Sequence, residues 1–145
     1  MSAFVVDASV AAKWWFPEAH HEAALAVRDP ANELHAPELF DLEISSVVCK
    51  RVRRREISAR DGERILTLLE QIPVRRHRDR PLLRPAIALA HSTRQSVYDC
   101  LYLALALVLD AKLVTGDARF HRAMRASSAA SPVVWLEDLA LRQRK

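Results

Sequence analysis

Short apolar, β-branched segments alternate with helical segments along all 145 residues, and this alternation constrains the fold more than any other feature. Five segments have the composition of buried strands, and a helical pattern follows each of them. The predicted strands are Ala3–Val6, Leu34–Ala36, Pro73–His77, Lys112–Thr115 and Pro132–Trp135. Strands that alternate with helices form a mainly parallel sheet with helices on both faces. The sequence therefore predicts one α/β domain over residues 1–145.

Composition excludes several classes of protein. The chain contains two glycines, so neither a phosphate-binding P-loop nor a dinucleotide-binding fingerprint can be written anywhere in it. The two cysteines, Cys49 and Cys100, are too few for a thiolate metal site or a disulfide framework, and we expect them to be buried apolar residues. The longest strongly apolar run, Leu101–Leu109, is less than half the ~20 residues that a membrane span needs. No signal-peptide pattern opens the chain, so we expect a cytoplasmic protein without a membrane partner.

The charge favours an anionic partner, with nucleic acid as the first candidate. Lysine and arginine number 22 against 18 acidic residues, which gives a net charge of +4. Only four of the basic residues are lysines: Lys13, Lys50, Lys112 and Lys145. The alternative is that the arginine content reflects only the base composition of the genome.

Two acidic residues directly follow predicted strands. Asp7 follows the first strand, and Asp117 comes after Thr115 and Gly116 at the end of the fourth. In parallel sheets, ligands bind outside the carboxyl ends of the strands, so both carboxylates are expected at the ligand-binding edge. Each aspartate is also compatible with a purely structural role as a helix cap.

Two further acidic residues lie on predicted helices. Glu43 is flanked at helical spacing by apolar residues, so its carboxylate is expected to lose solvent and to need a partner. Alternatively, Lys50 and Arg54 on the same face could bring this stripe to the surface. Asp99 lies in the first turn of a helix that is apolar nearly all round. It could be a residue of the site, or it could belong to a capping box that begins at Ser96.

Considered together, the four carboxylates indicate a metal site. Four acids in one pocket repel each other unless a cation neutralises them. Carboxylate ligation without histidine or cysteine suits Mg²⁺ or Mn²⁺. Such an ion can activate water and stabilise charge on phosphate oxygens, which predicts phosphodiester cleavage.

Four sequence stretches resemble one known family, the PIN-domain nucleases, and within it the VapC-type toxins of toxin–antitoxin pairs. The similarity covers the chain in order and is carried by Val5–Val10, Pro37–Ile44, Tyr98–Ala106 and Leu113–Phe120. The chain departs from the family at two positions, Cys100 and Gly116, where alanine is frequent. Neither departure removes an acidic residue.

The resemblance assigns roles to individual residues. The family's acidic positions fall on Asp7, Glu43, Asp99 and Asp117, and its small hydroxyl positions fall on Ser9 and Thr115. We expect the three aspartates to hold Mg²⁺ or Mn²⁺ directly or through water. Glu43 is expected to bind a second metal ion or to orient the attacking water.

The resemblance also implies a fold, an activity and partners. It implies a five-stranded parallel sheet, a homodimer, and an endoribonuclease whose products carry a 5′-phosphate and a 3′-hydroxyl. The implied protein partner is an antitoxin whose C-terminal segment blocks the site by inserting a basic side chain among the carboxylates. For the RNA substrate, the candidate contacts are Arg119, Arg122 and Arg54, although arginines at a helix end also suit a solvated surface.

Two other functions compete with the nuclease. A catalytically idle PIN-like module would bind RNA or protein without cutting, and the four intact carboxylates argue against it. A metal-dependent phosphatase or phospho-acceptor domain is disfavoured because Asp7-Ala8-Ser9 lacks the second nearby aspartate of an Asp-x-Asp motif.

Overall fold

The fold was analysed in a computed structural model that describes residues 2–127 and 132–143. It contains one five-stranded sheet in which every pair of neighbouring strands is parallel, in the order β3-β2-β1-β4-β5. The strands are β1 (Ser2–Val6), β2 (Asn32–Pro37), β3 (Val74–His77), β4 (Lys112–Thr115) and β5 (Val133–Trp135). The predicted α/β class and the predicted five-stranded parallel sheet are confirmed.

Helices follow the strands. The first half of the chain contributes α1 (Ala8–Ala11), α2 (His21–Val27), α3 (Leu39–Arg53) and α4 (Ala59–Gln71). The second half contributes α5 (Leu83–Thr93), α6 (Val97–Leu109), α7 (Ala118–Arg125) and α8 (Leu136–Gln143). In the part of the chain that the structure describes, no helix combines the length and apolar character needed to cross a membrane.

The strand order places a ligand-binding crevice at the end of β1. From this central strand the chain moves to β2 and β3 on one side, and it later returns to β4 and β5 on the other. The order therefore reverses between β1 and β4, where Val6 lies opposite Val114. Ligands of open parallel sheets bind at such a reversal, outside the carboxyl ends of the strands.

The core is formed by the central strands and by α6. Val5, Val6, Leu113 and Val114 are inaccessible to solvent, as expected for strands covered on both faces. Helix α6 packs across β1, β2 and β4 and buries a continuous run over 100–106. This packing fixes the N-terminal end of α6 beside the carboxyl ends of the strands.

Local differences from the sequence prediction concern helix starts and one cysteine. The helical pattern that follows the first strand forms only the four-residue α1, followed by a turn of 3₁₀ helix at Ala12–Trp14. Another 3₁₀ turn, Arg80–Leu82, precedes α5. The expectation for the cysteines is right for buried Cys100 and wrong for Cys49, because Cys49 lies on the exposed side of α3.

A guanidinium clamp holds α3 and α4 against β3. Arg76 of β3 donates from Nε and Nη2 to both carboxylate oxygens of Asp41 on α3, at 3.0 to 3.3 Å. It also donates to the carbonyl oxygens of Leu69, Ile72 and Val74 at 2.7 to 3.0 Å. The planar guanidinium satisfies carbonyls at the end of α4, and it fixes the start of the helix that carries Glu43.

We expect Arg76→Lys to lower the free energy of unfolding by about 2 kcal/mol, because a lysine ammonium cannot reproduce the fork of hydrogen bonds. Urea unfolding followed by circular dichroism measures the change. Arg75→Lys, at an exposed position of the same strand, is the control and should leave stability nearly unchanged. Equal stabilities of the two variants would show that the clamp contributes nothing.

Candidate active site

Four carboxylates supplied by four separate elements line one open cavity of about 310 Å³ at the carboxyl edge of the sheet. Asp7 follows β1 and caps α1, Asp117 follows β4 and caps α7, and Asp99 lies in the first turn of α6. Glu43 lies in the second turn of α3. The chain thus brings together four acids that are far apart in sequence, and their negative charges face one space.

Asp7 is the most buried of the four, with 8% of its surface exposed. Its backbone N–H donates to the carbonyl oxygen of Val114 at 3.1 Å, which ties β1 to β4. The Thr115 hydroxyl donates to Oδ2 of Asp7 at 3.0 Å, and the backbone N–H of Ser9 approaches Oδ1 at 3.4 Å. These two donors fix the orientation of the Asp7 carboxylate, which is largely shielded from solvent.

The two candidate hydroxyl residues connect Asp7 to the loop that carries Asp117. The hydroxyl oxygen of Thr115 accepts a hydrogen bond from the backbone N–H of Asp117 at 3.0 Å while it donates to Asp7. The Ser9 hydroxyl accepts from the backbone N–H of Gly116, also at 3.0 Å. Both hydroxyls therefore hold the ends of β1 and β4 together, and this fixes the positions of the loops that carry Asp7 and Asp117.

The glycine at position 116 accommodates a lysine side chain. A Cβ atom at Gly116 would lie 3.0 Å from Cε of Lys13 and 3.4 Å from the carbonyl oxygen of Ser9. Lys13 extends past this position to form an ion pair with Glu18 at 3.8 Å. The departure from alanine thus gives room to the Lys13 stem and leaves the Asp117 cap intact, with Phe120 N–H donating to Oδ1 at 3.1 Å.

Burial and mutual repulsion favour the protonated forms of Asp7, Glu43 and Asp99. Burial, reinforced by the negative charge of Asp99 and more weakly by Glu43, raises the pKa of Asp7 to about 7, although the Thr115 and Ser9 hydrogen bonds oppose the change. Burial also raises the pKa of Glu43 and of Asp99. The negative charge of Asp99 raises the pKa of Glu43 further, and the negative charge of Asp117 raises the pKa of Asp99 further.

Two residues that the sequence prediction missed belong to this site. The hydroxyl of Tyr102 donates to Oε1 of Glu43 at 2.6 Å, and burial together with the Asp7 and Glu43 charges raises its pKa, so that it keeps its proton. Lys50 lines the cavity beside the acids. Helical spacing is the sequence feature that could have identified both residues. Tyr102 lies three residues after Asp99, and Lys50 lies seven residues after Glu43, so each shares a helix face with an acidic residue of the site.

The three candidate RNA-binding arginines do not line the cavity. Arg119 and Arg122 are exposed on α7, immediately after Asp117, and exposed Arg54 ends α3. Their role in RNA binding stays a prediction. Arg51, by contrast, is engaged within the protein by Glu18, Glu56 and the ring of Phe16.

The donor set fits a hard divalent cation that retains most of its water. Carboxylate oxygens and a neighbouring hydroxyl are the ligands that Mg²⁺ and Mn²⁺ prefer. Within residues 2–127 and 132–143, no three acidic, histidine or cysteine side chains already lie close enough together to hold one ion. Mg²⁺ in proteins is commonly bound by one or two carboxylates and keeps several of its water molecules, and the carboxylates around this cavity can supply such ligands.

We expect Asp7→Asn to stabilise the metal-free protein at pH 8 by about 2 to 4 kcal/mol. The folded-state pKa of Asp7 lies above its unfolded value of 3.8, so the native state binds the extra proton between these values and stability falls as pH rises toward 7. Unfolding measured in chelator at pH 5 and pH 8 tests this. The gain should shrink at pH 5, and a variant no more stable than wild type at pH 8 would contradict it.

Comparison with known proteins identifies the family. The model of the PIN domain matches residues 4–125 of the chain. Ribonuclease VapC3 of Pyrobaculum aerophilum is 33% identical over 115 residues, which cover 78% of this chain and 88% of that relative.

Two solved structures share the fold. PAE2754 from Pyrobaculum aerophilum superposes with a TM-score of 0.72 at 20% identity, covering 97% of this chain and 94% of that one. VapC20 of Mycobacterium tuberculosis, described as a toxin that cleaves the sarcin–ricin loop, gives a TM-score of 0.62 at 19% identity and covers 83% and 94% of the two chains. With a matching domain model, a curated relative above 30% identity and the same architecture, the chain belongs to the PIN-domain family and, within it, to the VapC ribonucleases.

Proposed function

We propose that this chain is a metal-dependent endoribonuclease and the toxin component of a toxin–antitoxin pair. The observation that carries the proposal is the convergence of Asp7, Glu43, Asp99 and Asp117 on one cavity at the strand-order reversal. Membership of the VapC ribonucleases supports RNA as the substrate. The net positive charge of the chain favours a polyanionic substrate.

Each acidic residue has a proposed task. Asp7, Asp99 and Asp117 hold a Mg²⁺ or Mn²⁺ ion, directly or through its water molecules, and Glu43 binds a second ion or orients the attacking water. When bound, the metal supplies positive charge to the phosphate oxygens and lowers the pKa of water. Thr115 and Ser9 keep the Asp7 and Asp117 loops together so that the carboxylates face the same phosphodiester.

Basic residues around the cavity are proposed to bind the RNA backbone. Lys50 lies at the cavity wall, where its ammonium can neutralise a phosphate next to the cleaved bond. Arg119 and Arg122 extend the positive surface along α7 beyond Asp117, and Arg54 does so at the end of α3. Contacts of this kind position the strand without reading its sequence.

The proposed antitoxin would bind to the same negatively charged carboxylates as the metal ion. Ionised carboxylates crowded in one cavity attract a basic side chain as well as a metal ion, so an antitoxin that inserts arginine or lysine there would neutralise the charge and exclude the cation. Inhibition and metal binding would then compete for the same four residues.

An exposed apolar surface supports the proposed homodimer. Helices α5 and α6 pack against each other, and each leaves large apolar side chains open to solvent: Leu83 and Ile87 on α5, and Leu107 and Val108 on α6. Grouped apolar side chains of this kind are more typical of protein interfaces than of a solvated monomer surface.

We expect Asp99→Asn to reduce RNA cleavage at least 100-fold in Mg²⁺ or Mn²⁺, because it removes a charge from the proposed metal site. Asp61→Asn is a closely matched control. Asp61 and Asp99 each lie three residues after a serine whose hydroxyl accepts a hydrogen bond from the aspartate N–H, but Asp61 is outside the cavity. It should retain wild-type activity, and chelator should abolish cleavage by wild type.

The alternative, a catalytically idle RNA- or protein-binding module, predicts a different result. Wild-type protein would then bind RNA in a gel-shift assay and leave it uncut at every metal concentration. Cleavage that continues in chelator, or that Asp61→Asn and Asp99→Asn reduce equally, would contradict the metal site proposed here.

A further inference from the structure

The hydroxyl of Tyr102 lies where three elements of the candidate site meet. The side chain belongs to α6 and is 1% exposed. Its hydroxyl donates to Oε1 of Glu43 on α3 at 2.6 Å. The backbone of Ala8, the residue after Asp7, is close enough to the same hydroxyl to affect its pKa. One buried hydroxyl therefore joins α6 to α3 beside the junction of β1 with α1.

Packing alone does not account for this hydroxyl. Phenylalanine would fill nearly the same volume and would avoid the cost of burying a polar group. The hydroxyl is retained at a position where Glu43 accepts its proton in a hydrogen bond, close to the backbone next to Asp7. This hydrogen bond ties the helix that carries Asp99 to the helix that carries Glu43.

The hydrogen bond also restricts the orientation of Glu43. A glutamate side chain has three rotatable bonds, and a half-buried carboxylate without an anchor would sample several rotamers. With Oε1 held by Tyr102, the second carboxylate oxygen is presented in a reproducible direction. A group that must act on a metal ion or on water needs such fixed geometry, since small displacements of a supporting residue lower the rate.

We propose that Tyr102 is a positioning residue of the nuclease site: its hydroxyl orients the Glu43 carboxylate relative to Asp7, and it acts on the metal ion and the attacking water only through Glu43. This proposal rests on the metal-dependent nuclease function proposed above. Tyr102 is buried beneath the cavity surface, so it makes no contact with the RNA.

The test compares Tyr102→Phe with Tyr98→Phe, which is the same substitution on the same helix at a residue 59% exposed and outside the cavity. We expect Tyr102→Phe to lower kcat for RNA cleavage about tenfold and to weaken Mn²⁺ binding several-fold by electron paramagnetic resonance, with KM for RNA unchanged. Tyr98→Phe should match wild type in all three measurements. Circular dichroism confirms that both variants are folded.

A double-mutant cycle separates positioning from a general structural effect. In a Glu43→Ala background, Tyr102→Phe should cause no further loss of Mn²⁺ affinity, because the residue through which it acts is already absent. If the two losses add, or if Tyr102→Phe behaves like Tyr98→Phe in an active wild-type background, the positioning role is wrong. Wild-type protein that neither binds Mn²⁺ nor cuts RNA would instead refute the nuclease function, and the positioning role with it.

Discussion

Carboxylates at one edge of the sheet are buried and lie close enough to repel each other, and the site is organised around this unfavourable charge. Asp7 is almost fully buried, and its pKa near 7 reports the cost of keeping a negative charge there beside Asp99 and Glu43. A fold selected for stability alone would have no reason to keep this arrangement. We propose that a metal ion or a basic side chain of an antitoxin neutralises this excess negative charge, and in the metal-free protein a proton on Asp7 reduces it.

Hydrogen bonds between elements of the fold fix the positions of these carboxylates. The strand order reverses between β1 and β4, so the two loops that carry Asp7 and Asp117 diverge from neighbouring strands and leave a crevice. The Thr115 hydroxyl bridges the two loops, and the Arg76 clamp fixes the helix that brings Glu43 to the crevice. The hydroxyl of Tyr102 then links that helix to α6. Each connection is a hydrogen bond between elements distant in sequence.

Much of this architecture could be predicted from sequence because its signals are local. Apolar runs that end in Asp7 and in Thr115-Gly116-Asp117 indicate buried parallel strands, and the rule for parallel sheets then places both aspartates at one edge. The serine cap before Asp99 could also be predicted, and the structure forms it. The apolar neighbours of Glu43 correctly indicated that its carboxylate loses solvent.

The remaining features arise from tertiary contacts that no local pattern encodes. The partner of Glu43 is Tyr102, 59 residues away, and the two meet because α3 and α6 both pack against β2. The position of Lys50 suggested that the apolar helix face around Glu43 reaches the solvated surface, but Lys50 lines the same cavity as Glu43. The change from α1 to a 3₁₀ turn after β1 is likewise not marked by any local pattern in the sequence.

Anomalous diffraction from crystals of this protein soaked in Mn²⁺ would show whether the four acids form a metal site. We expect one or two anomalous peaks inside the cavity, with the Asp7 and Asp99 carboxylates turned toward the ion and bound to it directly or through one water. A cavity without a peak at saturating Mn²⁺, with the four carboxylates pointing away from a common centre, would contradict it.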